Sequence, residues 1–162
     1  MVTIITGGIH SGKTTRLIDE FGRCGRGCGF ASVKIMKDGN VLGFDILNLS
    51  SGELRPLARR TAETDAGWTE CCSMGPYSFS LDAVHAVEIE IEKGIREGGF
   101  TIFLDEAGQL ELEGKCLDGI LEKAFSTGID IFITVRDRFL EEMIEKYKIR
   151  DARIINVGGR KA

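Results

Sequence analysis

Apolar residues follow two different rhythms along this chain. Val2 to Thr6 is a short, largely β-branched run, the composition of a strand covered on both faces. Phe30 to Met36 and Asn40 to Leu49 alternate between apolar and polar positions, with Lys37-Asp38-Gly39-Asn40 joining them. Asp-Gly readily takes the positive φ angles of a tight turn, so the pair predicts a β-hairpin. Helical spacing takes over from Ser80 to Glu97: Leu81, Val84, Val87, Ile91 and Ile95 share one face, Ser80 stands where a cap belongs, and Gly98-Gly99 is the stop. Phe100 to Leu104 and Ile129 to Val135 are again apolar runs and predict buried strands. Helices are expected over Glu113 to Ser126 and Phe139 to Lys146, with a last strand over Ala152 to Val157. Ser50 to Pro76 has weak periodicity and holds Gly52, Pro56, Gly67 and Gly75, which predicts a long irregular segment of the kind that often serves as a functional lid.

Strands alternating with helices predict an α/β domain with a mostly parallel sheet, the hairpin being an antiparallel excursion in the first crossover. The 162 residues show no repeat and no linker, so a single domain over 1–162 is expected.

Composition narrows the classes of function. A net charge of −4, with no basic run longer than Arg59-Arg60, leaves no electrostatic footprint for nucleic acid. No apolar stretch reaches the roughly 20 residues of a membrane span, and the first residues lack the pattern of a signal peptide. A cytoplasmic, monomeric protein without nucleic-acid or membrane partners is expected. Five cysteines, Cys24, Cys28, Cys71, Cys72 and Cys116, are an odd number and argue against a disulfide framework. Cys24 and Cys28 have a spacing open to zinc, but adjacent Cys71 and Cys72 do not suit one tetrahedral ion, and soft filler residues are the simpler reading. His85, alone in its helix, reads as a partly buried surface residue.

The chemistry concentrates in two places. Gly7-Gly8-Ile9-His10-Ser11-Gly12-Lys13-Thr14 fits G-x-x-x-x-G-K-[ST], directly after the first strand and before a helix opening at Thr15-Arg16-Leu17-Ile18-Asp19-Glu20-Phe21. Glycines let successive backbone N–H groups converge on phosphates at the positive end of the helix, Lys13 supplies a charge for the β and γ phosphates, and Thr14 offers a hydroxyl to Mg²⁺. Gly7 through Thr15 are therefore candidate nucleotide-binding residues. The second place is Asp105-Glu106 at the end of the Phe100 strand, where ligands collect in open parallel sheets. Asp105 is a candidate second holder of Mg²⁺ with Thr14, and Glu106 a candidate to orient or deprotonate an attacking water, with Lys13 as its catalytic partner. Asp105-Glu106-Ala107-Gly108 also matches the D-x-x-G of switch GTPases, making Gly108 a candidate γ-phosphate contact. The guanine-selecting N-K-x-D is missing from the sequence, where Thr134-Val135-Arg136-Asp137 stands at the nearest location.

Together with Gly29-Phe30, Leu42-Gly43-Phe44-Asp45-Ile46, Ser51-Gly52-Glu53 and the block Leu104 to Leu112, these motifs make nearly the whole chain resemble the small P-loop nucleoside-triphosphatase family known from thermophiles and related to the animal cancer-related nucleoside-triphosphatase. The resemblance implies a three-layer P-loop sandwich with a RecA-like sheet. It also implies a slow, broadly specific, Mg²⁺-dependent hydrolase that splits nucleoside triphosphates into diphosphate and phosphate. Its phosphate loop carries over onto Gly7 through Thr14, and its acidic pair onto Asp105 and Glu106. The chain departs from the family at Gln109, where a lysine is usual, and at Ala107, where isoleucine is usual; Glu111 is retained. Arg136 and Arg138 follow the Ile129 strand at the same sheet end and read first as surface charge, with phosphate stabilisation as the sharper alternative. Arg55, Arg59 and Arg60 pose the same choice, as part of a nucleotide-covering loop or as solvated charge. Two other functions fit the motifs: a nucleotide or small-metabolite kinase, with Ser50 to Pro76 holding the acceptor, and a nucleotide-binding regulatory adaptor.

Overall fold

The computed structural model describes residues 1–158; positions 159–162 of the expected domain lie outside the described residues. The elements are β1 (Val2–Gly7), α1 (Lys13–Cys24), β2 (Gly27–Lys37), β3 (Asn40–Asn48), β4 (Leu54–Arg60), β5 (Glu70–Met74), β6 (Tyr77–Ser80), α2 (Leu81–Glu97), β7 (Thr101–Ala107), α3 (Gln109–Leu112), α4 (Asp118–Ser126), β8 (Asp130–Arg136), α5 (Leu140–Lys146) and β9 (Arg153–Asn156). One sheet of nine strands contains them in the order β5-β6-β4-β3-β2-β7-β8-β1-β9. From β2 to β9 every pairing is parallel. From β2 to β5 every pairing is antiparallel.

β2 belongs to both halves, and its register decides the shape. Gly27 to Phe30 pair with Thr101 to Leu104, whereas Phe30 to Lys37 pair with Asn48 back to Asn40. The antiparallel wing therefore rises past the carboxyl ends of the parallel strands, on the side where ligands collect. Asp38 (φ 50°) and Gly39 (φ 77°) close the hairpin with the positive φ angles that Asp-Gly favours.

Alternation along the parallel strands makes three layers. Ile4, Ile102, Leu104, Ile131, Ile133 and Val135 face α2, α4 and α5, meeting Val84, Val87, Ile91, Ile120, Leu121 and Met143. On the other face Ile5, Phe103 and Phe132 meet Leu17 and Phe21 of α1. Phe103 stacks on Phe132 with centroids 4.9 Å apart and takes Phe21 edge-on at 5.3 Å. Leu17 is completely buried, and burial of such a side chain contributes about 1.5–3 kcal/mol, which fixes the helix that follows the phosphate loop. The α2 face is the predicted one, and Ser80 caps it by accepting a hydrogen bond from the Ala83 amide at 3.2 Å.

Four expectations need correction. Ser50 to Pro76 is not an irregular lid: it contains β4 and β5, so the excursion is a five-strand wing rather than one hairpin. β4 escapes notice because Pro56 and three arginines replace the usual β-branched residues; Pro56 sits beside the β-bulge at Phe44/Asp45, where a missing N–H is tolerated. Arg55, Arg59 and Arg60 brace this wing. Arg59 pairs with Asp45 and donates to the Phe44 and Ala58 carbonyls, Arg55 bridges Glu53 and Asp82, and Arg60 donates to Val41. A Cβ on Gly43 would lie 2.0 Å from the Ala58 carbonyl oxygen, so Gly43-Phe44-Asp45 locks β3 onto β4. Finally, the helix expected over Glu113 to Ser126 begins only at Asp118, because Gly114 (φ 75°) and Cys116 (φ 56°) turn the chain after α3. Cys28 is buried with its sulfur against Gly94, Cys24 is exposed, and His85 is exposed rather than partly buried.

Candidate functional site

The phosphate-loop segment links β1 to α1 at the carboxyl edge of the parallel sheet. Gly7 has φ 156°, and a Cβ there would come within 2.6 Å of Ser11 Oγ. Gly12 caps α1 at φ 91° in the left-handed region, where L side chains are strained. The first turn of α1 carries no acidic residue to neutralise its positive end. Ile9, His10, Gly12 and Thr15 lie on the open side, whereas Gly7 is buried and Gly8 half-buried. Lys13 is only 6% exposed; its ammonium donates to the carbonyls of Gly7 (3.1 Å) and Gly8 (2.6 Å). Ser11 Oγ is buried without a hydrogen-bond partner from the protein. An oxygen buried in this way costs about 1–3 kcal/mol unless something bonds to it, and a phosphate oxygen is a suitable acceptor.

Asp105 faces this loop from the end of β7. Its Oδ2 accepts from Thr14 Oγ1 at 2.8 Å and from the Ser32 amide at 3.0 Å, and its Oδ1 accepts from Thr134 Oγ1 at 2.6 Å. Mg²⁺ prefers an octahedron of oxygens at about 2.0–2.1 Å, whose neighbouring corners are about 2.9 Å apart. The spacing of Thr14 Oγ1 and Asp105 Oδ2 fits adjacent corners, and the donors are hard oxygens, so these residues suit that ion.

Thr134 and Ser32 are the contributions that sequence reasoning missed. Ser32 acts through its backbone, which no side-chain pattern reveals. Thr134 did leave a signal, a lone hydroxyl in the run Ile131-Phe132-Ile133-Thr134-Val135. It is fully buried, donates to Asp105 and accepts from the Glu106 amide at 2.8 Å. Thr134→Val keeps the shape but strands both partners. We expect a loss of about 1–3 kcal/mol in denaturant unfolding, together with slower phosphate release from ATP; an unchanged midpoint would show that this hydroxyl holds nothing in place.

Glu106 has φ 59°, an unusual backbone for a residue with a side chain, and one that concentrates at functional sites. Burial pushes its carboxyl upward, the neighbouring Asp105 charge adds to this, and Arg136, Lys13 and Lys34 oppose it. Arg136 approaches Glu106 to 3.8 Å, and Arg138 lies over the Phe139 ring at 4.4 Å. Arg136 thus stands at the site rather than on a remote surface, and Arg138 borders the same cavity as Glu106.

The turn after β7 is held from below. Glu111, 4% exposed, accepts from the Gly108 amide at 2.9 Å and the Leu117 amide at 3.4 Å. Burial pushes its carboxyl up to about 7, against the pull of these backbone hydrogen bonds. The Gly108 N–H proposed for a γ phosphate is thereby engaged by Glu111. Gln109, in the place of the family lysine, is exposed and donates to Glu113 at 3.0 Å.

A family described as NTPase matches residues 2–161. The chain belongs to the NTPase family. Among curated relatives, the nucleoside-triphosphatase THEP1 of Thermotoga sp. (strain RQ2) is 29% identical over 157 residues, 96% of this chain and 84% of that protein. The same-named protein of Pyrobaculum aerophilum is 29% identical over 133 residues, 80% of this chain and 70% of the relative. The fold of this NTPase is similar to the crystal structure of THEP1 from the hyperthermophile Aquifex aeolicus, with TM-score 0.76 at 21% identity, covering 98% of this chain and 91% of that one. It is also similar to the solution structure of a human cancer-related nucleoside triphosphatase, with TM-score 0.67 at 22% identity, covering 95% and 87%. The resemblance read from the sequence is therefore correct, as is the P-loop α/β class. In this NTPase the parallel half of the sheet carries the loop and the acidic pair, and the wing stands beside them.

Proposed function

We propose that this protein hydrolyses nucleoside 5′-triphosphates to diphosphate and phosphate, slowly, with Mg²⁺ and without strong preference among bases. The observation that carries the reading is the convergence of Lys13, Thr14 and Asp105 at one end of the sheet, with Glu106 directly beside them. The phosphates would lie along the backbone N–H groups of Gly7 to Thr15 at the positive end of α1. Lys13 would exchange its loop carbonyls for β and γ phosphate oxygens and balance their charge. Thr14 and Asp105 would hold Mg²⁺, which neutralises charge on the β and γ phosphates as the bond to the γ phosphorus breaks. Glu106 would accept a hydrogen bond from the attacking water and aim it at the γ phosphorus, with the raised basicity of its carboxylate favouring proton removal. Arg136, held beside Glu106, has the charge to stabilise the transferred group in cis.

The names of the relatives point to the same hydrolysis, and no N-K-x-D segment selects guanine. The test is turnover of ATP, GTP, CTP and UTP by the purified protein with Mg²⁺ and with EDTA. Comparable rates with all four and none with EDTA are expected. A single strongly preferred base, or undiminished turnover with EDTA, would overturn the corresponding part of the proposal.

A further inference from the structure

A cavity of about 250 Å³ opens beside Glu106; Asp105 lines it too, and no residue from Gly7 to Thr15 does. The order of strands fixes this arrangement. β1, which feeds the loop, lies two places from β7 on one side, whereas β2, β3, β4 and β6 lie on the other. Those four strands supply one apolar wall, with Phe30, Phe44, Ile46, Leu57, Tyr77 and Phe79, and the turn after β7 closes the space from the other side. Phe44 and Tyr77 meet edge to face with centroids 5.8 Å apart, a lining suited to the face and edge of another ring. Polar groups border the same space: Asp105, Glu106, Gln109, Arg136 and Arg138.

A water that attacks a phosphate needs one hydrogen-bond acceptor, not six large apolar side chains. The base of the bound nucleotide does not suit this pocket either. The phosphates belong to the Gly7 to Thr15 backbone, and Asp105, which meets Thr14, already borders the cavity, so the γ phosphate is the end of the nucleotide nearest this space. The cavity exceeds the roughly 150 Å³ known to hold benzene and falls short of drug-sized pockets of about 300 Å³ or more, which corresponds to one or two rings.

We propose that this pocket binds a small planar aromatic or heteroaromatic alcohol, and that the protein transfers the γ-phosphoryl group of a nucleoside triphosphate to that alcohol's hydroxyl. The proposal rests on the triphosphate-binding reading of the loop side. The acceptor oxygen forms a bond to the γ phosphorus as the bond between that phosphorus and the β–γ bridging oxygen breaks. The hydroxyl proton passes to the Glu106 carboxylate, and the nucleoside diphosphate leaves with the electron pair of the broken bond. Water attacking in place of the alcohol gives the slow hydrolysis. The site thus has a donor side built by β1 and α1, and an acceptor side built by the wing.

The experiment follows label from ATP radiolabelled in its γ phosphate, with Mg²⁺, in the presence of benzyl alcohol, pyridinemethanol or naphthalenemethanol at millimolar concentration. A labelled phosphate ester of at least one alcohol is expected, its ratio to free phosphate rising with alcohol concentration. Leu57→Trp places a bulky ring in the pocket and should lower that ratio about tenfold, whereas Leu57→Met, nearly equal in volume, should preserve it. Because both products come from the same folded molecules, the ratio does not depend on how much of a variant folds. No ester with any of the three alcohols, or a ratio indifferent to Leu57→Trp, overturns the proposal. Phosphate released without ester would sink the acceptor site alone; release of neither product, with no ATP bound, would sink the triphosphate reading instead.

Discussion

Lys13→Ala should lower phosphate release from ATP by about 10³-fold or more, since it removes a buried cation aimed at the place where charge develops. The geometry explains why the loss is so large. Lys13 is held at 6% exposure against the Gly7 and Gly8 carbonyls, so its ammonium is already largely stripped of water and needs little rearrangement to meet phosphate oxygens. Truncation also leaves those two carbonyls without their donor. Steady-state phosphate release together with nucleotide binding by calorimetry separates the consequences. Both should collapse, because the same charge serves ground-state binding and the transferring phosphoryl group. Activity near that of the parent protein would mean that the phosphates bind elsewhere.

Glu106→Gln should behave differently. Phosphate release is expected to fall by about 10²–10⁴-fold, the usual contribution of a positioned acid or base, while ATP binding changes little. Glutamine keeps the length and shape of the side chain and the contact of the Glu106 amide with Thr134, but it cannot accept a proton. The contrast between the two variants is the diagnostic: loss of binding and turnover at Lys13, loss of turnover alone at Glu106. Equal phosphate release by the parent and Glu106→Gln would remove Glu106 from the reaction.

The parts of this molecule legible in the sequence are those written by local rules. The strand, glycine loop and helix from Val2 to Cys24 follow from β-branching, backbone freedom and helical spacing within one short segment. The Asp38-Gly39 turn and the Ser80 cap depend on a few adjacent residues. What stayed hidden depends on contacts distant along the chain. β4 is a strand because Arg59 finds Asp45 and Phe44 across the sheet, not because its own residues favour extension. The break before α4 comes from two positive-φ residues, one of them Cys116, a type with no special liking for that conformation. At the site, Asp105 and Thr14 could be paired from their motifs, and the fold brings the hydroxyl and the carboxylate into contact. Thr134 and the Ser32 amide could not, because their importance lies in where β8 and β2 flank β7. Arg136 and Arg138 read as surface charge until the topology set them beside Glu106.

β2 is a single continuous strand that ends one structure and begins another. Its Ser32 amide holds the Asp105 carboxylate, and a few residues further on it forms the first upright of the wing. The same carboxylate meets Thr14, so one carboxylate is all that separates the first strand of the wing from a residue in the first turn of the helix behind the phosphate loop.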